Sequence, residues 1–173
     1  FALFHMVTVF PLSWVFLYTN DSPADFLVIE ILGAVIGFFA ILLSGVLADR
    51  FGRLRLLTVC AVAIGIYALF APSLLSGGIA GEVVYMFTGF ALLGLSFGQC
   101  SGAVAVRFSR KYRYTGSSLT SDIAWLFGAG FAPGVALLLS SSFGLWSSGA
   151  YLLSGAVCTF IALWVTTHLE YAD

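Results

Sequence analysis

Residues 45–55 read GVLADRFGRLR and join two long apolar stretches, residues 23–47 and 56–75. Neither stretch contains Lys or Arg, whereas Arg50, Arg53 and Arg55 all lie in the quoted segment. An α-helix rises about 1.5 Å per residue, so each stretch is long enough to cross the roughly 30 Å of hydrocarbon in a bilayer. The segment therefore predicts a charged loop between two membrane-spanning helices.

The composition of the whole chain extends this interpretation. Of its 173 residues, 61% are hydrophobic and 9% are charged, against about 45–50% and about 25% in soluble domains. The mean hydropathy is +1.06, which excludes a soluble globular domain and makes lipid the solvent for most of the polypeptide. A net charge of −1 without a basic face also excludes a nucleic-acid-binding protein.

Six apolar runs free of Lys and Arg predict six spans. Their continuity favours helices over the alternating strands of a membrane barrel, so the expected fold class is an all-α membrane protein. The first run begins at Phe1 with no initiator Met and no signal-peptide features, and we expect the chain to be a fragment of a longer protein. The approximate spans are residues 1–18, 23–47, 56–75, 82–106, 116–139 and 145–167.

The seven basic residues predict the orientation of the bundle. All of them fall in two loops, one after the second span and one, residues 107–113, after the fourth. Under the positive-inside rule both loops are cytoplasmic. Both termini of the segment are therefore expected in the cytoplasm, and the loops near Asp21, Ser76 and Ser142 outside.

Sites for metals, cofactors and nucleotides are not indicated. Cys60, Cys100 and Cys158 lie in apolar runs without metal-ligand or disulfide spacing, so we expect neither a metal nor another cofactor. No ATP-binding loop is present, which favours coupling to an ion gradient. No paired intramembrane aspartates or Ser/His set supports an enzyme.

The quoted segment resembles the GxLaDrxGrrr signature of the major facilitator superfamily. The matching residues are Gly45, Asp49, Arg50, Gly52 and Arg53. Gly45 would let a neighbouring helix approach closely. Asp49 is poorly placed for the dipole of its own helix and needs an external partner. We expect its carboxylate to accept a hydrogen bond from Arg53 and to face the N-terminus of a neighbouring helix. In this superfamily such a contact forms a latch between two six-helix halves.

Residues 112–118 (YRYTGSS) and 128–133 (GAGFAP) are similar to the RYTGxS segment and glycine-rich eleventh helix of the metabolite:proton symporter family. The resemblance implies the C-terminal six-helix half of a secondary active transporter in a plasma membrane, expected to be a bacterial inner membrane. Its partners would be a small organic solute, H⁺, the lipid bilayer and the other half. The alternative is a channel or a non-transporting assembly subunit. That alternative does not explain why the Gly, Asp and Arg residues around Asp49 follow the spacing of the signature.

Two acidic residues are candidates for proton coupling. Asp122 lies nine residues beyond Arg113, about 13 Å along a helix, where carboxylates usually line cavities or relay protons. An ion pair with Arg107 or another base is the equally weighted alternative. Glu30 lies about two turns into the second span, where it either gathers protons or cations or, as slightly favoured, remains hydrated at the interface.

The spacing of polar side chains suggests a solute cavity. Ser118, Ser121 and Trp125 share a helix face with Asp122. Gln99 lies at comparable depth on the fourth span and serves either the cavity or an interhelical hydrogen bond, with the second interpretation slightly favoured. His5 is weak evidence for a site because a single histidine has many roles.

Overall fold

The computed structural model describes the backbone of residues 2–19 and 21–170 and, within these ranges, all side chains except those of residues 127, 129 and 167–170. Phe1, where the first expected span begins, lies outside them. The described secondary-structure elements are all helices, in keeping with the expected all-α class. The elements are α1 (Ala2–Thr8), α2 (Phe10–Tyr18), α3 (Pro23–Phe51), α4 (Arg53–Leu75), α5 (Gly78–Ala105), α6 (Arg113–Trp125), a π-helical turn (Leu126–Gly130), α7 (Ala132–Phe143) and α8 (Trp146–Glu170).

Within the described ranges, four helices are long and apolar enough to cross a membrane: α3, α4, α5 and residues 146–166 of α8. The boundary of α3 follows from its sequence, because Ser22 Oγ accepts a hydrogen bond from the Asp25 N–H and Pro23 occupies the first turn. A short turn at Ser76 and Gly77 separates α4 from α5. The helices α3, α4 and α5 overlap the expected second, third and fourth spans, with ends that differ from the expected ones by a few residues.

The first and fifth expected spans are interrupted. The first consists of α1 and α2, which meet at Val9. Pro11 has no N–H with which to continue the α1 ladder. The fifth consists of α6 and α7 joined through the π-helical turn, and it begins at Arg113 rather than Gly116. Each continuous span expected here is therefore two shorter helices.

The packing of α3 against α5 is the most extensive helix–helix contact. Gly33 and Gly37 of α3 lie against the ring of Phe90 on α5, and Gly94 of α5 lies against Gly37 and Ala40. Glycine allows two backbones to approach this closely because it carries no Cβ. The glycines of the fourth span thus line a helix seam, whereas Gly134 of the fifth faces open space.

Two buried tyrosines tie α1, α4 and α5 together. The Tyr67 hydroxyl donates to the Tyr85 carbonyl oxygen at 3.1 Å. The Tyr85 hydroxyl in turn donates to the Met6 carbonyl oxygen. Tyr85 and Met6 are almost completely buried, and the bonds satisfy hydroxyl groups that would otherwise be costly there. They fix α1 close to its junction with α2.

Candidate functional site

The charged segment after α3 turns sharply at Gly52. This residue has φ +90° and ψ +140°, and its N–H donates to the Ala48 carbonyl oxygen. A side chain at that positive φ would be strained, so glycine is the residue that ends α3 and lets α4 begin at once. Gly52 therefore directs Arg53 back over the end of the bundle.

Arg53, Gln99 and Ser44 form a polar network that joins three helices. The Arg53 Nε–H donates to Gln99 Oε1 at 3.2 Å, and Gln99 Nε2 donates to Ser44 Oγ at 3.0 Å. The Ser44 hydroxyl donates to the Ile41 carbonyl oxygen at 2.7 Å. Ser44 is fully buried and Gln99 is 7% exposed. We call these three side chains the clamp, because they connect α4, α5 and α3.

Two glycines of α5 make room for the clamp. A Cβ at Gly98 would overlap Ser44 Oγ, and a Cβ at Gly102 would lie 2.9 Å from the Arg53 guanidinium. Gln99 thus makes interhelical hydrogen bonds, as one of its two interpretations expected. It is not among the residues that line the two cavities near α6 described below, and its place in a solute cavity stays a prediction.

Replacing Gln99 by leucine is expected to destabilise the folded protein by about 1–3 kcal/mol. Leucine fills similar volume but leaves the buried Ser44 hydroxyl and the Arg53 guanidinium without their shared partner. Thermal unfolding in detergent measures the effect. Gln99→Glu is the matched control because it keeps an acceptor for Arg53, and an equal loss of stability in both variants would contradict the clamp.

Asp49 does not pair with Arg53. Its side chain is exposed and makes no ion pair with any residue in the described part of the chain. The expected loop-internal pair is therefore wrong, because Arg53 turns inward to Gln99. Arg50 lies over the Phe51 ring at 5.3 Å, and a Cβ at Gly45 would meet nothing within 4 Å. The close approach expected at Gly45 is thus not made within this bundle.

The polar face of α6 borders two cavities. The larger, of about 560 Å³, is lined by residues that include Ser118 and Ser121. The smaller, of about 240 Å³, is lined by residues that include Ser121 and Trp125. Ser121 thus borders both cavities, and the part of these residues in a solute cavity stays a prediction. Asp122, the fourth residue expected on this face, is exposed and is not among the residues that line these two cavities.

Glu30 lies on the packed side of α3. It shares a helix face with Phe26, Gly33 and Gly37, which are buried. Its Oε2 atom is buried and has no hydrogen-bond partner among the described residues. The favoured interpretation of a hydrated residue at the interface is therefore wrong for this oxygen.

Sequence reasoning gave little weight to His5, which the fold places in an aromatic cluster. Its ring lies edge-on to Phe4, with centroids 5.2 Å apart, and 6.1 Å from Trp125. Trp125 also lies 6.3 Å from Phe97. Nδ1 of His5 is buried without a partner in the described chain. No pattern in the sequence brings α1, α5 and α6 together, so only the tertiary structure reveals this cluster.

Comparison with known proteins identifies relatives of one kind. The chain is 33% identical over 180 residues to the inner membrane metabolite transport protein YhjE of Escherichia coli, a match that covers 99% of the chain and 40% of that protein. It is 34% identical over 140 residues to a Haemophilus influenzae protein named for metabolite transport, covering 80% of the chain and 32% of the relative. A citrate-proton symporter of Klebsiella pneumoniae is 27% identical over 166 residues, covering 92% and 36%.

The chain spans about two fifths or less of the length of these relatives. No family profile matches it, and no solved structure matches it. The relatives are named as transport proteins rather than enzymes, and one is an inner membrane protein, in agreement with the expectations from the charged segment after α3 and the residues around Arg113. Along most of its length, the chain is therefore similar in sequence to proteins named for metabolite transport.

Proposed function

We propose that this chain forms one six-helix half, the C-terminal one, of a secondary active transporter. The whole protein would carry a small organic solute together with H⁺ by alternating access. The observation that carries the proposal is the match along 99% of the chain to a metabolite transport protein. The relative named as a citrate-proton symporter supports proton coupling and an organic acid as the solute class.

The fold supports the same proposal, because it combines three helices that pack tightly together with two pairs of helices that are interrupted. The clamp and the glycine seam hold α3, α4 and α5 as one unit. The interrupted helices α1/α2 and α6/α7 lie next to the cavities and the aromatic cluster. Transporters of this general kind bind solutes where helices are discontinuous and rock one bundle against the other.

The exposed motif residues supply the surface for the other half. Asp49 and Gly45 face away from the bundle that the structure describes. In the proposal Asp49 is the latch residue, and its partner lies in the other six helices. The two basic loops and both termini of the segment are cytoplasmic, as the positive-inside rule requires.

Transport by the complete protein tests the proposal. The protein is reconstituted into liposomes, and uptake of labelled citrate and other organic acids is measured with an imposed pH gradient. Accumulation that a protonophore abolishes is the expected result. Equal uptake with and without the protonophore would contradict proton coupling, and conduction of ions without solute accumulation would favour a channel instead.

A further inference from the structure

The larger cavity lies where the second basic loop meets α6. Its lining includes Arg110 from the loop, Arg113 and Tyr114 from the first turn of α6, and Ser117, Ser118 and Ser121 from the turns that follow. We call this cavity the basic cleft. Its volume of about 560 Å³ falls within the range of small-molecule pockets. Among the described residues, no acidic side chain lines the cleft, which there carries the two positive charges of Arg110 and Arg113.

Both arginines of the basic cleft are available to a ligand. Neither Arg110 nor Arg113 makes a hydrogen bond or ion pair with any residue in the part of the chain that the structure describes. Arg113 is the first residue of α6, a position where the helix dipole disfavours a cation. Guanidinium groups bind carboxylates through paired N–H donors, so an organic anion would satisfy both side chains.

The serines of the basic cleft are also available. Thr120 on the same helix donates to the Gly116 carbonyl oxygen at 2.7 Å, as Ser and Thr residues within apolar helices commonly do. Ser117, Ser118 and Ser121 make no such bond among the described residues, and Ser117 Oγ is buried without a partner. An unmade hydrogen bond at a buried hydroxyl is costly, so these groups favour a polar ligand.

The basic cleft continues toward the aromatic cluster. Ser121 lines both the cleft and the smaller cavity, whose walls include Phe97 and Trp125. From Arg113 to Ser121 the helix rises about 12 Å. A ligand held by the arginines therefore lies at the loop end of a polar route that leads inward to the aromatic side chains.

We propose that the basic cleft is a binding site for a small organic anion with at least one carboxylate. Arg110 and Arg113 hold the carboxylate, and the three serines donate hydrogen bonds to the remainder of the molecule. This inference rests on the proposed function in naming the solute class, but binding can be measured without transport. An anionic lipid headgroup shares the carboxylate's charge, yet it needs only the arginines at the mouth and not Ser121.

Binding of succinate to the complete protein in nanodiscs of neutral lipid tests the proposal. Succinamide, the neutral diamide of the same size, is the matched ligand, and titration is followed by calorimetry. Succinate is expected to bind at least about tenfold more tightly than succinamide, because charged hydrogen bonds are the stronger ones. Equal affinities would overturn the proposal, whatever the transport assay shows.

Three variants connect the affinity to the basic cleft. Arg113→Gln is expected to weaken succinate binding about tenfold or more, and Ser121→Ala by a smaller but measurable factor. Lys111→Gln is the control, because this substitution also removes one positive charge. Lys111 lies in the same loop, over the Tyr112 ring, and is not among the residues that line the cleft. Equal losses in the Arg113 and Lys111 variants would reduce the site to a positive surface and overturn the proposal.

Two further measurements test whether binding needs the paired donors of Arg113 and whether the ligand is a soluble anion or a lipid. Arg113→Lys keeps the charge but loses the paired donors, and it is expected to bind succinate more weakly than the unmodified protein while unfolding at the same temperature. Nanodiscs that contain anionic lipid test whether a lipid headgroup, rather than a soluble anion, binds the two arginines. If anionic lipid displaces succinate and Ser121→Ala has no effect, the site belongs to headgroups and the assignment to a soluble anion fails.

Discussion

Replacing Gly94 by leucine is expected to prevent stable packing of α3 against α5. Even a Cβ at this position would overlap the Gly37 carbonyl oxygen and lie 2.7 Å from the Ala40 Cβ. Backbone atoms cannot move aside as a flexible side chain does, so the helices must separate. Overpacking typically costs about 1–3 kcal/mol and occasionally more, and we expect the upper end of that range because the α3–α5 contact is the most extensive in the bundle.

The melting temperature and the fraction of monodisperse protein in detergent measure this effect. Gly134→Leu is the matched control, because a Cβ at Gly134 meets nothing within 4 Å and leucine has the higher helix propensity. Gly94→Ala adds only the Cβ, so it shows whether the clash with α3 begins at that first atom or needs the larger leucine side chain. A Gly94→Ala protein that melts at the unmodified temperature would show that the two backbones are farther apart than described.

Glu30→Gln is expected to abolish accumulation of solute against its gradient while solute exchange continues. Glu30 lies on the face of α3 that packs against α5, and its Oε2 atom is buried without a partner. An ionised carboxylate is costly to bury in that condition, and carboxylates within membranes mark proton relays and ion pathways. Glutamine keeps the shape of the side chain but cannot bind and release the proton.

Asp122→Asn is the comparison that decides between the two acidic candidates. Asp122 is exposed on the surface of the bundle, so in this proposal its substitution reduces accumulation less than Glu30→Gln does. Accumulation ratio and exchange rate are measured on the same reconstituted preparation. Full accumulation in Glu30→Gln, together with its loss in Asp122→Asn, would move proton coupling to the α6 surface and to the other half of the transporter.

Much of the architecture follows from the sequence because lipid imposes a simple requirement. Every backbone polar group in the hydrocarbon must be bonded within its own helix, so long apolar runs specify α3, α4 and α5 almost directly. The Ser22 cap and the glycines near position 77 add local signals for where helices start and stop. Pro11 indicates the interruption near Val9, because proline has no N–H for the helix ladder. The interruption at residues 126–130 was not predicted, because the run is apolar across the change in backbone hydrogen bonding.

The candidate site was predicted less well because its geometry depends on which helix faces meet. Spacing alone placed Asp122 beside Trp125, but it gave no information on which side of α6 packs inward. Gln99 and Arg53 are 46 residues apart, and only the packing of α5 against the start of α4 joins them. Three- and four-residue spacing placed Ser118, Ser121 and Trp125 on one side of α6, where each of them borders at least one of the two cavities.

The chemistry of the clamp also bears on the proposed coupling of transport to H⁺. Arg53 bonds to an amide rather than to a carboxylate, and neither a guanidinium nor an amide gains or loses a proton in the physiological range. The junction of α3, α4 and α5 therefore keeps its hydrogen bonds at whatever acidity prevails on either side of the membrane. Protonation elsewhere can then change the position of these three helices as a unit without loosening them from one another.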